Sequence, residues 1–89
     1  MLREKAVHYV YVILNEENKM YIGRSHDLKA RLKTHNEGKN TSTKGHTWEL
    51  VYYEAYKADE DAWEREAQLK AHGQAKRWLK ERIKRSLHQ

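Results

Sequence analysis

Five polar side chains stand where the chain's own pattern calls for a core or its rim: Tyr11, Tyr21, Arg31, His35 and Glu66. Arg31 and His35 are four residues apart, so on a helix they share a face. Glu66 falls between Ala62 and Leu69 on an apolar helical stripe, where a carboxylate is costly unless it is paired or binds a metal. Two phenols, a guanidinium, an imidazole and one carboxylate suit metal-assisted hydrolysis of a phosphodiester. That chemistry asks for a hard cation on a carboxylate, a positive group for the pentavalent phosphate and a group that takes a proton from water. Acyl transfer does not fit, because no Ser stands at a suggestive spacing from a base and there is no Cys. Two structural readings stand beside the chemical one. Arg31 can snorkel over a satisfied rim histidine, and Glu66 can bridge to a nearby Arg or Lys, Arg31 among them.

The elements that must position these groups follow from periodicity and turn chemistry. Val7 to Leu14 is an unbroken β-branched, aromatic and aliphatic run, Asn15 to Lys19 is a turn, and Met20 to Gly23 resumes the extended pattern, which reads as a hairpin. A loop centred on Glu16 puts Tyr11 directly across from Tyr21, with Tyr9 on the same face. Asp27 is the expected N-cap of a helix from Leu28 to about Glu37, closed by Gly38, with Leu28, Leu32 and His35 as its stripe. Gly38 to Thr47 reads as an exposed loop carrying Lys39 and Lys44. It lacks P-loop spacing, and it is either a plain connector or a basic loop along a phosphate backbone. Trp48 to Tyr56 is a third strand, with Trp48, Leu50 and Tyr52 on one face and Val51, Tyr53 and Ala55 on the other, apolar enough to be central and doubly covered.

A second helix begins at Asp59 or Glu60, runs to about His72 and is broken by Gly73. A third covers Gln74 to Leu87, with Ala75, Trp78, Leu79, Ile83 and Leu87 at helical spacing. Lys76, Arg77, Lys80 and Lys84 occupy its other face, and from Lys70 to Arg85 seven Lys or Arg stand against Glu81 alone. Such a run is either a solvated face or a contact for a phosphate backbone.

The totals bound these readings. A chain of 89 residues is one domain, of a size that buries only about 60% of the surface of its unfolded state. Without cysteine there is no disulfide or Cys-based zinc site, and the six histidines show no zinc-ligand spacing. A formal charge of +5 favours a polyanionic partner without requiring one. The Met1 to Ala6 opening is charged, and no segment approaches the roughly 18 apolar residues of a membrane span, so a soluble, intracellular, cytoplasmic protein is expected.

The tyrosine of Val10-Tyr11-Val12, the unaltered Tyr21-Ile22-Gly23, Arg31 ten residues after Tyr21 and the His35-Asn36 pair one turn later form an ordered set. WELVYYEAY followed by EREAQLK completes it. From His8 to Leu87 the chain resembles the GIY-YIG endonuclease family, as a small single-domain member similar to the nuclease domain of the bacterial excision-repair nuclease. It departs from the pattern in reading Val-Tyr-Val for Gly-Ile-Tyr and in carrying no asparagine after Glu66.

The resemblance implies an α+β fold over residues 1–89, with a core at about 7–87: a three-stranded antiparallel sheet flanked by about three helices in the order β-β-α-β-α-α. It implies hydrolysis of DNA phosphodiester bonds with one divalent cation, Mg²⁺ or Mn²⁺. By the same resemblance Glu66 holds the cation and Arg31 stabilises charge on the scissile phosphate. Tyr11 is then the base or water-positioning phenol, with His35 the competing proton carrier, and Tyr21 orients phosphate or water. Arg24, directly after the glycine, falls where members carry a phosphate contact. DNA held through its phosphates is the implied partner, with structure- or partner-directed cutting, a protein partner or a transient homodimer as further expectations. The alternative is a weakly active or non-catalytic DNA-binding or scaffold module of a repair or recombination complex.

Overall fold

The first strand runs through the middle of the structure. In the computed structural model, which describes residues 7–71 and 73–88, β1 (His8–Asn15) lies between β2 (Met20–Ser25) and β3 (Trp48–Tyr56), antiparallel to both. Its centre, Val10 to Ile13, is buried on both faces, which is why the run is apolar without alternation. Helix α1 (Leu28–Asn36) covers one face, and α2 (Asp59–Lys70), α3 (Gln74–Arg82) and α4 (Lys84–Leu87) cover the other. The fold is the expected α+β arrangement in the order β-β-α-β-α-α, with a short fourth helix added. The charged opening Met1 to Ala6 and the expected helix end at His72 lie outside the described residues. Among the described residues no helix is long and apolar enough to cross a membrane.

The hairpin register differs from the expected one. Tyr11 pairs with Gly23, and Tyr21 pairs with Ile13. The Asn15 side chain accepts the N–H groups of Glu17 and Lys19, each at 2.9 Å, and Asn18 takes a positive φ of 62°. The turn is therefore centred on Glu17 instead of Glu16, and β2 slides by two residues. A slip of two preserves the faces, so Tyr11 and Tyr21 remain on the same side.

The third strand is an edge strand, not a central one. A register shift lets Val12 pair with Tyr52 while Ile13 pairs with Leu50, leaving Val51 as the extra residue of a β-bulge. The bulge exchanges the faces expected beyond it. Trp48 and Leu50 pack with Tyr11 and Ile13 beneath α1, whereas Val51, Tyr52 and Tyr56 pack with the core beneath α2 to α4.

The bulged strand also carries a polar cluster that sequence pattern did not reveal. Glu54 accepts Arg65 Nε at 2.8 Å and Nη2 at 2.9 Å, Tyr52 Oη at 2.6 Å, and the Tyr56 hydroxyl. Burial works to raise the Glu54 carboxyl, but the Arg65 fork and the two phenols outweigh it and hold the group at about 2. Burial, then Glu54 itself, pushes Tyr52 and Tyr56 up to about 12. The cluster ties β3 to α2.

The helices end where their caps require. Asp27 accepts Ala30 N–H at 3.1 Å, and Gly38 closes α1 with φ 73°. The expected final helix is interrupted at Ile83, where φ is −108°, giving α3 and α4. Leu79, Ile83 and Leu87 are its buried stripe. Trp78, one residue before Leu79 and so about 100° around the helix, is 65% exposed instead of lying in the core. Trp63, one residue after buried Ala62, is 60% exposed.

Candidate active site

Gly23 opens the site by being small. A side chain there would collide with the Tyr11 ring across the β1–β2 pair, so the absence of a Cβ is what lets the phenol lie over the neighbouring strand. From that position Tyr11 Oη reaches His35 Nε2 at 2.7 Å. His35 is 0% exposed, so it is a core residue on the α1 stripe and not a rim histidine. Its other nitrogen, Nδ1, lies 2.7 Å from Thr43 Oγ1, and Thr43 is likewise 0% exposed. The Gly38–Thr47 loop is thus not wholly exposed: Thr43 is drawn inward as the second partner of His35. Trp48 Nε1 donates to the Thr43 carbonyl at 2.9 Å and fixes the loop in place. Asn36, next to His35, accepts Trp48 N–H at 2.6 Å and donates to Trp48 O at 3.1 Å, clamping α1 to the start of β3.

Tyr21 completes an aromatic group around the pair. Its ring centroid lies 6.5 Å from Tyr11, 5.0 Å from His35 and 6.2 Å from Trp48. Burial, reinforced by Tyr21, raises the Tyr11 phenol well above its ordinary value of 10; Arg31 pulls it down and Glu66 pushes it up. Burial, with Arg31 second, lowers His35 below its ordinary 6.5. Near neutral pH the pair is therefore a protonated phenol and a neutral imidazole.

Arg31 and Glu66 flank this group from opposite helices. Arg31 is exposed beside a small cavity that it lines with Arg24, Ser25 and His26, and among the described residues no carboxylate pairs with it. Glu66 is only 18% exposed, and its partners are Arg24 Nε at 3.4 Å and Lys70 Nζ at 3.0 Å, not Arg31. Lys70 Nζ also lies 5.7 Å from the Tyr21 ring centre. Arg24 is shared with a second α2 carboxylate, Asp59, which His8 approaches at 3.5 Å. Arg24 therefore braces α2 against β2 and holds Glu66 beside the phenols.

The remaining cations lie apart from the Tyr11 group. Lys39 pairs with Glu37 at 3.5 Å, and Lys44 is exposed on the loop. Lys76, Arg77, Lys80 and Lys84 line a groove between the hairpin and α3–α4.

The Glu66 donor set fits a small hard cation. Such an ion takes one or two carboxylates and completes its shell with water and phosphate oxygens. Glu66 supplies one such carboxylate, partly sheltered, and an ion binding there must displace Arg24 and Lys70, whose positive charge opposes it. Among the described residues one other group has metal-ligand character: Glu16, Glu17 and His46 bring ligand atoms within 4.8 Å of one another. The six histidines gave no hint of it, because the grouping depends on the loop folding back on the hairpin. Glu16 is already occupied there, accepting His46 Nδ1 and Thr47 N–H at 2.6 Å each, contacts that lower its carboxyl.

The chain is 37% identical over 68 residues to a UPF0213 protein of Staphylococcus haemolyticus, covering 73% of this chain and 82% of that one. It is 35% identical over 69 residues to one of Bacillus pumilus, covering 75% and 70%. It is 34% identical over 79 residues to one of Staphylococcus aureus, covering 84% and 96%. No solved structure matches it significantly. Residues 7–82, from the start of β1 to the end of α3, match the GIY-YIG catalytic domain, and the chain belongs to that family of nuclease domains.

Proposed function

We propose that the chain is a divalent-cation-dependent DNA endonuclease that works in the cytoplasm, with Mg²⁺ or Mn²⁺ held at Glu66. The observation that carries the reading is the buried Tyr11–His35 hydrogen bond, 2.7 Å long, with Arg31 and Glu66 acting on the same phenol from two sides. A cation bound by Glu66 would supply charge to the phosphate and to the attacking water. Arg31, exposed and without a carboxylate partner among the described residues, faces the charge that develops on the phosphate. Tyr11 takes the proton of the water as its own phenolic proton passes to His35 Nε2. The hydroxide so formed attacks phosphorus, the bond to the leaving oxygen breaks, and that oxygen takes up a proton from solvent water as His35 returns its own to solvent. In this relay Tyr11 and His35 act together, since a phenol raised by burial becomes a competent acceptor only when it gives up its proton in the same step. Tyr21, with Lys70 over its ring, orients phosphate or water. Cutting that is directed by DNA structure or by a protein partner suits so small a site.

The second reading is a DNA-binding or scaffold module of a repair or recombination complex. The observation in its favour is that Arg24 and Lys70 already hold the Glu66 carboxylate. Incubating the purified protein with supercoiled, branched and single-stranded DNA in Mg²⁺ or Mn²⁺ separates the two. Cutting that Glu66→Ala and Arg31→Ala each abolish, with thermal unfolding still cooperative, supports the nuclease. A wild-type protein inert on every substrate in both metals leaves the scaffold.

A further inference from the structure

A cavity of about 970 Å³ lies away from the tyrosines. It lies between the β1–β2 hairpin and α3–α4, with Leu14 and Met20 from the hairpin and the Trp78 indole from α3 among its walls. Lys76, Arg77, Lys80 and Lys84 line it as well. The one acid in the lining, Glu81, is paired with Lys84 at 3.1 Å. A smaller adjoining cavity at Gly73 is lined by Lys76, Arg77 and Lys80 again, so the cationic track continues past the groove.

We propose that this groove binds an unpaired DNA strand, with Trp78 as a base-stacking platform and Lys76, Arg77, Lys80 and Lys84 as contacts to its phosphates. The proposal takes its polyanion from the nuclease reading and adds a site and a substrate form to it. Charge complementarity selects a polyanion, and the aromatic and apolar walls select its form. A duplex buries its base faces and presents mainly phosphates, so it gains little from an open indole beside Leu14 and Met20. An unpaired strand offers base faces to stack, and stacking combined with a cationic track is how sequence-tolerant single-strand sites are built. Trp78 has no structural duty that would explain its place. Leu79, Ile83 and Leu87 already supply the buried stripe, while Trp78 is 65% exposed. The groove also connects to the candidate active site through one strand. Met20 lines the groove and packs toward the α2–α4 core, whereas the next residue, Tyr21, belongs to the phenol group on the other face of edge strand β2. A strand passing over that edge goes from one to the other.

Fluorescence anisotropy in EDTA, where no cutting occurs, tests this with a labelled oligothymidylate and a blunt hairpin duplex of equal phosphate number. The wild-type protein should bind the single strand more tightly. Trp78→Ala should weaken that binding at least about fivefold with little change in salt slope, and Trp78→Phe should restore most of it. Arg77→Ala with Lys80→Ala should instead flatten the salt slope. Equal affinity for the two DNAs, unchanged binding by Trp78→Ala, or no binding to either overturns the groove proposal. Preserved single-strand binding by a wild-type protein that never cuts would overturn only the nuclease reading.

Discussion

The position of one proton distinguishes the Tyr11–His35 pair from an ordinary buried hydrogen bond. Thr43 Oγ1 donates to the Asn40 carbonyl at 3.4 Å, which leaves its lone pairs to accept Nδ1–H of His35. The imidazole is then bare at Nε2 and accepts the Tyr11 phenol proton. Nitrogen-15 NMR should find His35 as the Nδ1–H tautomer at neutral pH. Thr43→Val should mix the tautomers and slow cutting about tenfold, a size usual for groups that orient a catalytic partner, while Thr43→Ser should keep both. Because burial lowers His35, cutting should hold as pH falls through 6.5 and decline only below that, as the imidazole takes up a proton before it can receive one. Tyr11, Tyr21, His35 and Glu66 were legible in the sequence because each interrupts an apolar pattern. Thr43 was not, since a threonine among Gly, Ser, Asn and Lys looks like any loop residue until His35 is known to be buried and in need of a second partner.

At the level of elements, the strands carry more of the site than their pattern discloses. Gly23→Ala should push the Tyr11 ring off His35, cost about 1–3 kcal/mol as overpacking does, and reduce cutting along with the melting temperature. Glu54→Gln should cost about 2 kcal/mol, from losing charge-assisted hydrogen bonds, and lower the melting temperature by about 10 °C in a domain of this length. The Glu54 carboxyl is depressed in the folded state, so its contribution is complete above the usual carboxylate value of 4.5 and is lost as pH falls toward about 2. Urea unfolding at pH 7 and pH 3 should therefore show a smaller difference between wild type and Glu54→Gln at the lower pH. Strand extents, the Asp27 cap and the Gly38 stop followed from local chemistry. The two-residue register slip and the Val51 bulge did not, because Asn15's turn contacts and the cross-strand pairing are set by neighbours that a linear pattern does not name. The same limit misplaced Trp78, one position away from a buried stripe.

Taken whole, the molecule divides its labour between the two faces of one sheet. The α1 face, with its small core around Tyr11, Ile13 and Trp48, builds the phenol–imidazole group. The opposite face, with the larger core, supplies stability and presents the cationic groove. Glu66 and Lys70 connect them by extending from α2 to the phenols. Lys76, Arg77, Lys80 and Lys84 gather along the groove where DNA would be held. The most direct test is a crystal of the Tyr11→Phe variant with DNA and Mn²⁺, read by anomalous scattering at the manganese edge. A manganese peak is expected within coordination distance of the Glu66 carboxylate and a phosphate oxygen, with Arg24 and Lys70 withdrawn and Arg31 facing that phosphate. Manganese found only at Glu16, Glu17 and His46, with Glu66 still bound to Arg24 and Lys70, would contradict this.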